Sequence, residues 1–449
     1  MHKKVLNVLA GLLLLGLPCR ADVKFDYGFA ARLREEYTKN ILDLNNDVDT
    51  KDNKDYFRLR LQAWGKWTFP DKSVFFTRLN NEMRSYIVSN DVHGSYFDGS
   101  EIDIDNFYYE TPRIGTLPVS LKIGRQDIVY GEGFLLADGT PADGTRTAYF
   151  NAAKATVTLN SRNSLDIIYI LDPKNDEFLP ILNEENNIDG VIAGTHHRLL
   201  NISDESALGV YGKCKPTDRI LLEPYYIYKT EDAYSLTASY LTVKAVSKPS
   251  SDINTIGAHV VYTVAPWKIH GEYAYQFGKY NDGGPDRSGN GGYLFCDRSF
   301  KSAIFSPDAS IGMVYLSGDD PGTTENEGWD PIFSRYTWLS DIYNNTVSDE
   351  TGISAYWTNL QIYRTQLQLN FTKTTNLNLR YNWLLGNENV SGSIFSTGKD
   401  KGQLYQAQLN HTFNKYLDGF LLYEYFQPGD FYAKTSGAIF WKWQLQCKF

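Results

Sequence analysis

The chain carries 53 acidic against 44 basic residues over 449 positions, a formal charge of −9, with a mean hydropathy of −0.39. That acidity speaks against a nucleic-acid partner, and no apolar run beyond residue 22 approaches the roughly 18 residues that mark a membrane helix. Cys214, Cys296 and Cys447 are too irregularly spaced for a disulfide framework or a zinc site. Aromatic side chains nevertheless make up 14% of the chain, with 32 Tyr, while Met numbers only 3. Such a balance suits a β-barrel, whose strands alternate between lipid and lumen and whose aromatic rings gather at both interfaces. A secreted β-rich hydrolase shares the composition, so patterning has to decide.

Residues 1–21 begin with His2, Lys3 and Lys4, run apolar from Val5 to Leu17 and end in Cys19-Arg20-Ala21. This is a secretory leader, too short to span a bilayer as a helix. Residues 22–449 then form one domain outside the cytoplasm. In the first predicted strand, VKFDYGFAARLRE, the apolar set Phe25, Tyr27, Phe29, Ala31 and Leu33 alternates with a set holding Arg32 and Arg34. In FRLRLQAWGKWTF, Leu59, Leu61, Ala63 and Trp67 oppose Arg58, Arg60 and Lys66, and FTRLNNEMR sets Leu79 and Met83 against Arg78, Glu82 and Arg84. The strand beginning at Ile102 is ambiguous, so Asp103 and Asp105 stand on either face. Farther on, Lys122, Lys154, Arg364 and Arg380 share the polar parity, as do Lys229, Lys268 and Lys442. Strict alternation after Val119, Leu121 and Ile123 sends Arg125 outward, unless a bulge at Gly124 turns it in. The chain closes on IFWKWQLQCKF, where Ile439, Trp441, Trp443, Leu445, Cys447 and Phe449 fall at every second position.

Tight connections rich in Pro, Asn, Asp and Ser occur at 70–72, 112–117, 160–163, 215–218, 265–266, 306–308, 372–376 and 414–416. Long polar ones alternate with them, at about 38–55, 87–100, 130–146, 172–205, 231–253, 280–297, 318–352, 387–401 and 427–436. Eight turns and nine loops imply about eighteen strands, all-β and antiparallel, with short periplasmic turns and long extracellular loops. That is the signature of an outer-membrane barrel. Its closing strand pairs with the first, and its terminal Phe is the mark by which barrel-assembly machinery recognises a last strand. With the apolar set on lipid, the wall is basic: six Arg on the first three strands face only Glu36 and Glu82. Such a stripe concentrates anions in a lumen.

Four stretches together resemble the alginate export family of outer-membrane barrels: KIGRQDIVYGEG (122–133), RLNNEMR (78–84), YLSGDDPGTTENEGWDPIF (315–333) and YFQPGDFY (425–432). The resemblance implies an 18-stranded barrel and a basic, constricted path that conducts an anionic polysaccharide outward. It places Arg32, Arg34, Arg58, Arg60, Arg78, Arg84 and Arg125 on that path, and Lys122, Lys154, Arg364 and Arg380 extend it by parity. Asn151 departs from the family's usual Asp. A general anion-leaning diffusion porin, or a surface structural barrel, is the alternative. No enzyme is expected, since the seven His are scattered and no GxSxG occurs. No cofactor is expected either, although the carboxylates and Gly-rich backbone of loop 318–330 also suit Ca2+. The partners expected are outer-membrane lipid and an anionic polysaccharide or small anions, with no nucleic acid.

Overall fold

Alternation of apolar and polar residues over about ten positions yields a strand that faces two environments, and the chain repeats it around a closed ring. A computed structural model describes residues 22–42, 44–46, 53–89, 102–138, 150–182, 191–192, 197–236, 245–281, 283–334, 339–353, 355–392 and 394–449. The predicted leader, 1–21, lies outside the described residues.

Eighteen strands form one antiparallel sheet. They are β1 (Lys24–Lys39), β2 (Lys54–Thr68), β3 (Val74–Ser89), β4 (Ile102–Thr111), β5 (Val119–Gln126) and β6 (Phe150–Asn160). Next come β7 (Asn163–Asp172), β8 (Glu205–Thr217), β9 (Ile220–Glu231), β10 (Ser251–Val264), β11 (Trp267–Tyr280) and β12 (Asp286–Ser299). The ring is completed by β13 (Asp308–Leu316), β14 (Leu360–Asn370), β15 (Thr375–Leu385), β16 (Asp400–Thr412), β17 (Leu417–Pro428) and β18 (Ala438–Lys448). Among the described residues one helix, α1 (Asp341–Thr351), lies in the connection between β13 and β14. Each strand pairs with its neighbour, and β1 also pairs with β18, from Ala30↔Lys448 to Lys39↔Ile439. Closure removes both sheet edges. At the seam Phe449 donates its N–H to Phe29 O at 2.8 Å and accepts from Phe29 N at 3.1 Å.

The outward set is apolar and exposed on the bare protein: Tyr27, Ile123, Ile167, Leu208, Ile256, Leu294 and Ile311. Short turns collect at one end and long connections at the other, as the sequence pattern predicts. One expected loop is a strand instead. Residues 280–297, a long polar connection by sequence, are mostly strand, for β11 ends at Tyr280 and β12 begins at Asp286. The β12 glycines serve contact and not flexibility. A Cβ on Gly291 would stand 2.7 Å from the Trp329 ring, so its absence lets a loop residue lie flat on the wall. The turn expected at 306–308 is also longer, spanning residues 300–307.

The lumen departs from a uniformly polar bore. In its outer half residues 127–138 of one connection, and the described residues of 317–353 and 355–359 in another, fold inward. Their Phe134, Leu135, Leu136, Trp329, Ile332, Phe333, Ile342 and Trp357 pack with wall residues Ile168, Ile170, Val314, Leu316, Leu360, Ile362, Leu404 and Phe426 in one buried cluster. The two connections meet directly, for Leu136 and Phe333 form a parallel bridge and Ser334 Oγ donates to Gly133 O at 2.5 Å. Taking every apolar set as lipid-facing therefore fails here. In β7, Ile167, Tyr169 and Leu171 meet lipid while Ile168 and Ile170 meet the loops. The strand reads as an unbroken apolar run because both of its faces are dry.

The parity is testable on neighbouring strands. Leu294→Arg places a charge in lipid near mid-depth and is expected to cost about 2–4 kcal/mol. Ser310→Arg points into an open cavity of ≈ 530 Å³ and should cost little. Urea unfolding from lipid vesicles measures both, and equal losses would contradict the assigned faces.

Candidate functional site

The register of β1, β2 and β3 stacks like charges. Arg34, Arg58 and Arg84 stand directly opposite one another in one row, and Arg32, Arg60 and Glu82 in a neighbouring one. Like charges directly opposite are destabilising, so the row persists only with acids threaded through it. Glu36 accepts from Arg34 at 3.0 Å, from Arg58 at 2.9 Å and from the Tyr56 hydroxyl at 2.6 Å. Glu82 accepts from Arg58 at 3.3 Å and from Arg84 at 2.7 Å. Gln444, whose parity suggests a water-facing side chain, instead accepts from Arg34 Nη2 at 2.6 Å. Arg78 donates to Asp105 at 2.7 Å and to Asp127 at 3.1 Å.

The ambiguity of β4 has a cause. Its register against β3 shifts between Ile104 and Asn106, so Asp105 is the bulged residue. Asp103 and Asp105 are both buried, at 4% and 0% exposure. With Asp127 they add acid that the sequence count left out, so the basic excess on β1–β3 is smaller than that count.

Arg125 is buried, contrary to strict alternation. Gly124 takes φ +122°, and a Cβ there would meet Phe107 O at 2.2 Å, so the turn that redirects Arg125 requires glycine. The guanidinium donates to Asp176 at 2.5 Å, to Ile104 O at 3.0 Å and to Asn151 at 3.1 Å. Asn151 thus contributes a neutral acceptor, and the counter-charge comes from the loop residue Asp176.

The remaining predicted bases are arranged differently. Lys122 and Lys154 are directly opposite across β5 and β6, and Lys122 Nζ lies 3.8 Å above the Tyr108 ring. Arg364 donates to Asn382 at 2.7 Å and Arg380 to Gln366 at 3.2 Å. Among the described residues none of these four forms an ion pair. Strands β5 and β6 lie nine positions from β14 and β15 in the 18-stranded ring, so the two pairs face each other across the lumen. Arg364, Lys268, His270 and Gln366 line the ≈ 530 Å³ cavity on the short-turn side.

Above this level the loops are fastened to the wall by charge. Asp330 accepts from Arg287 at 2.6 Å and from the Tyr356 hydroxyl at 2.9 Å. Burial works to raise its carboxyl, but the Arg287, Lys229 and Lys248 cations hold it well below the usual carboxylate range. The contact therefore stays charged at any physiological pH. On α1, Glu350 accepts from Lys401 at 2.5 Å and from the Tyr432 hydroxyl at 2.6 Å, and Asp341 pairs with Lys442 at 2.9 Å. Sequence reasoning missed Arg287 and Lys401, since both fell inside predicted loops. The acids of 318–330 are engaged within the protein: Asp319 accepts from Glu327 N at 3.1 Å and Glu327 from Thr323 Oγ1 at 2.6 Å. Among the described residues no group of three or more His, Cys, Asp or Glu gathers as a metal set.

The Arg ladder yields a test. Glu36→Gln leaves Arg34 and Arg58 opposed without their shared counter-ion and is expected to cost about 3–5 kcal/mol. Asp26→Asn removes a carboxylate that pairs with exposed Lys24 and should cost about 0–1 kcal/mol. Unfolding midpoints in vesicles compare the two, and a mild Glu36→Gln would show that the ladder does not need its acid.

Comparison with known proteins matches this architecture. OpdO of Pseudomonas aeruginosa superposes with a TM-score of 0.56 at 10% identity, covering 94% of this chain and 97% of that one. A BenF-like porin from Pseudomonas fluorescens Pf-5 gives 0.57 at 10% identity, with coverage of 95% and 98%. OccK2 (OpdF) of Pseudomonas aeruginosa, solved in complex with glucuronate, gives 0.56 at 10% identity over 95% and 98%. At such identity these likenesses show the fold alone. No curated protein matches the sequence. The family described as Alginate export matches residues 23–440, and the chain belongs to that family of outer-membrane barrels.

Proposed function

We propose that this outer-membrane channel conducts an anionic polysaccharide of the uronate type outward. The observation that carries the proposal is the facing of Lys122 and Lys154 against Arg364 and Arg380, four bases that form no ion pair among the described residues. Four such bases, against the single acid Glu110 opposite Lys122 in the strand register, raise the local anion concentration in a low-dielectric bore and lower the entry barrier for negative charge. The family's description and the glucuronate held by OccK2 support a uronate as the ligand class. The packed outer half, where Val314, Ile332, Ile342, Leu360 and Phe426 are at 0% exposure, favours a gated conduit over a permanently open diffusion porin. Family and fold are those of channels, and no catalytic step is assigned. Outer-membrane lipid surrounds the apolar belt, and we assign recognition by the assembly machinery to β18 with Phe449.

Reversal potentials across a planar bilayer in a salt gradient test the charge argument. The wild type should prefer chloride over potassium, and soluble oligogalacturonate should block its current. Reversing Lys122, Lys154, Arg364 and Arg380 to Glu together should shift preference to potassium. The shift should shrink near 1 M salt, where the screening length falls to about 3 Å. A cation-selective wild type would overturn the anion reading and leave a general porin.

A further inference from the structure

Among the described residues, three connections lay their own carboxylates on bases of the barrel wall. Asp127 sits on Arg78 at 3.1 Å, Asp176 on Arg125 at 2.5 Å and Asp330 on Arg287 at 2.6 Å. Asp341 sits on Lys442 at 2.9 Å and Glu350 on Lys401 at 2.5 Å. The wall member of each pair has little exposed side chain, between 0% and 12%.

Three of the pairs lie at the loop end of the bore: Arg125, Arg287 and Lys401 stand at the loop ends of β5, β12 and β16. Lys442 sits within β18, and Arg78 lies toward the short-turn end of β3. Below Arg125, Arg287 and Lys401 come Lys122, Lys154, Arg364 and Arg380, which meet no loop carboxylate among the described residues. On β5 alone the order is visible: Lys122 toward the short-turn end, then Arg125 under a loop acid. A chain entering from the periplasm reaches these open bases before it reaches Arg125, Arg287 and Lys401.

Chemistry makes the occupied ones exchangeable by one class of ligand. Pulling a buried carboxylate off a buried base leaves an uncompensated charge, which is strongly unfavourable. Substituting another carboxylate keeps the charge-assisted hydrogen bonds and avoids that penalty, whereas a neutral sugar offers no replacement. We propose that the loop carboxylates are internal stand-ins for those of the exported polymer. Arg125, Arg287, Lys401 and Lys442 are then polymer-binding positions uncovered as the loops lift, while Arg78 keeps its wall partner Asp105. The proposal rests on the anion-export reading above and adds how that path opens.

Ser334 reports on lifting, because it is 3% exposed and bonded to the neighbouring loop at Gly133. A Ser334→Cys chain in outer-membrane vesicles is treated with a membrane-impermeant maleimide, and labelling is counted above that of the native cysteines. Oligogalacturonate should raise the labelling rate several-fold, and maltooligosaccharide of equal length should leave it unchanged. No acceleration by oligogalacturonate, or equal acceleration by both sugars, overturns the exchange. A second arm measures the half-blocking oligogalacturonate concentration in Asp330→Asn and Glu350→Gln channels. Removing an internal competitor should lower it several-fold, and an unchanged value also overturns the proposal. If the Asn and Gln variants do not fold, the Ser334→Cys arm decides alone on an unaltered wall. A cation-selective wild type sinks the export reading itself, whereas an anion-selective channel whose loops ignore oligogalacturonate sinks only the exchange.

Discussion

Lipid offers no partner to a backbone N–H or C=O, so every such group at membrane depth must be paired within the protein. The unbroken ring of ladders from β1 through β18 meets that demand, and the remainder of the molecule is arranged around it. Once the ring is closed, parity leaves each side chain two choices, lipid or interior. Two departures, the bulge at Asp105 and the positive φ of Gly124 within an unshifted register, bring a charged group inside. Both lie on adjacent strands and serve the same corner of the bore.

Confinement of charge to the interior creates a second problem. Bases on adjacent strands are held at ladder spacing and cannot separate, so Arg34, Arg58 and Arg84 are opposed by geometry. Glu36 and Glu82 neutralise that row from within the wall, Arg78 shares acids from wall and loop, and Arg125, Arg287 and Lys401 draw theirs from loops. The interior is thus a graded electrostatic surface. One arc is settled by its own acids, another is settled by connections folded over it, and Lys122, Lys154, Arg364 and Arg380 form no ion pair among the described residues.

The barrel itself was legible in the sequence, because alternation and the contrast of short and long connections are local signals that survive without tertiary information. The β12 segment was hidden by its glycines, which in isolation spell a turn and in place clear room for Trp329. Inward bases on β1–β3 were legible through parity, but their counter-ions were not, since Asp127, Asp176 and Glu350 are brought to the wall by chain folding that no period encodes. The dry outer lumen left one trace: the apolar run Ile167–Leu171 does not alternate, and an unalternating strand has two buried faces. That trace could have warned against a uniformly wet bore.

The bridge between Leu136 and Phe333 ties a connection rooted at β5 and β6 to another rooted at β13 and β14, eight strands around the ring. Anchored on nearly opposite banks and joined in the middle, the two behave as a single beam across the bore. A load on one half is carried to the other, and neither swings aside while the joint holds. On the proposed export path, displacing one of the two connections would therefore require displacing the other.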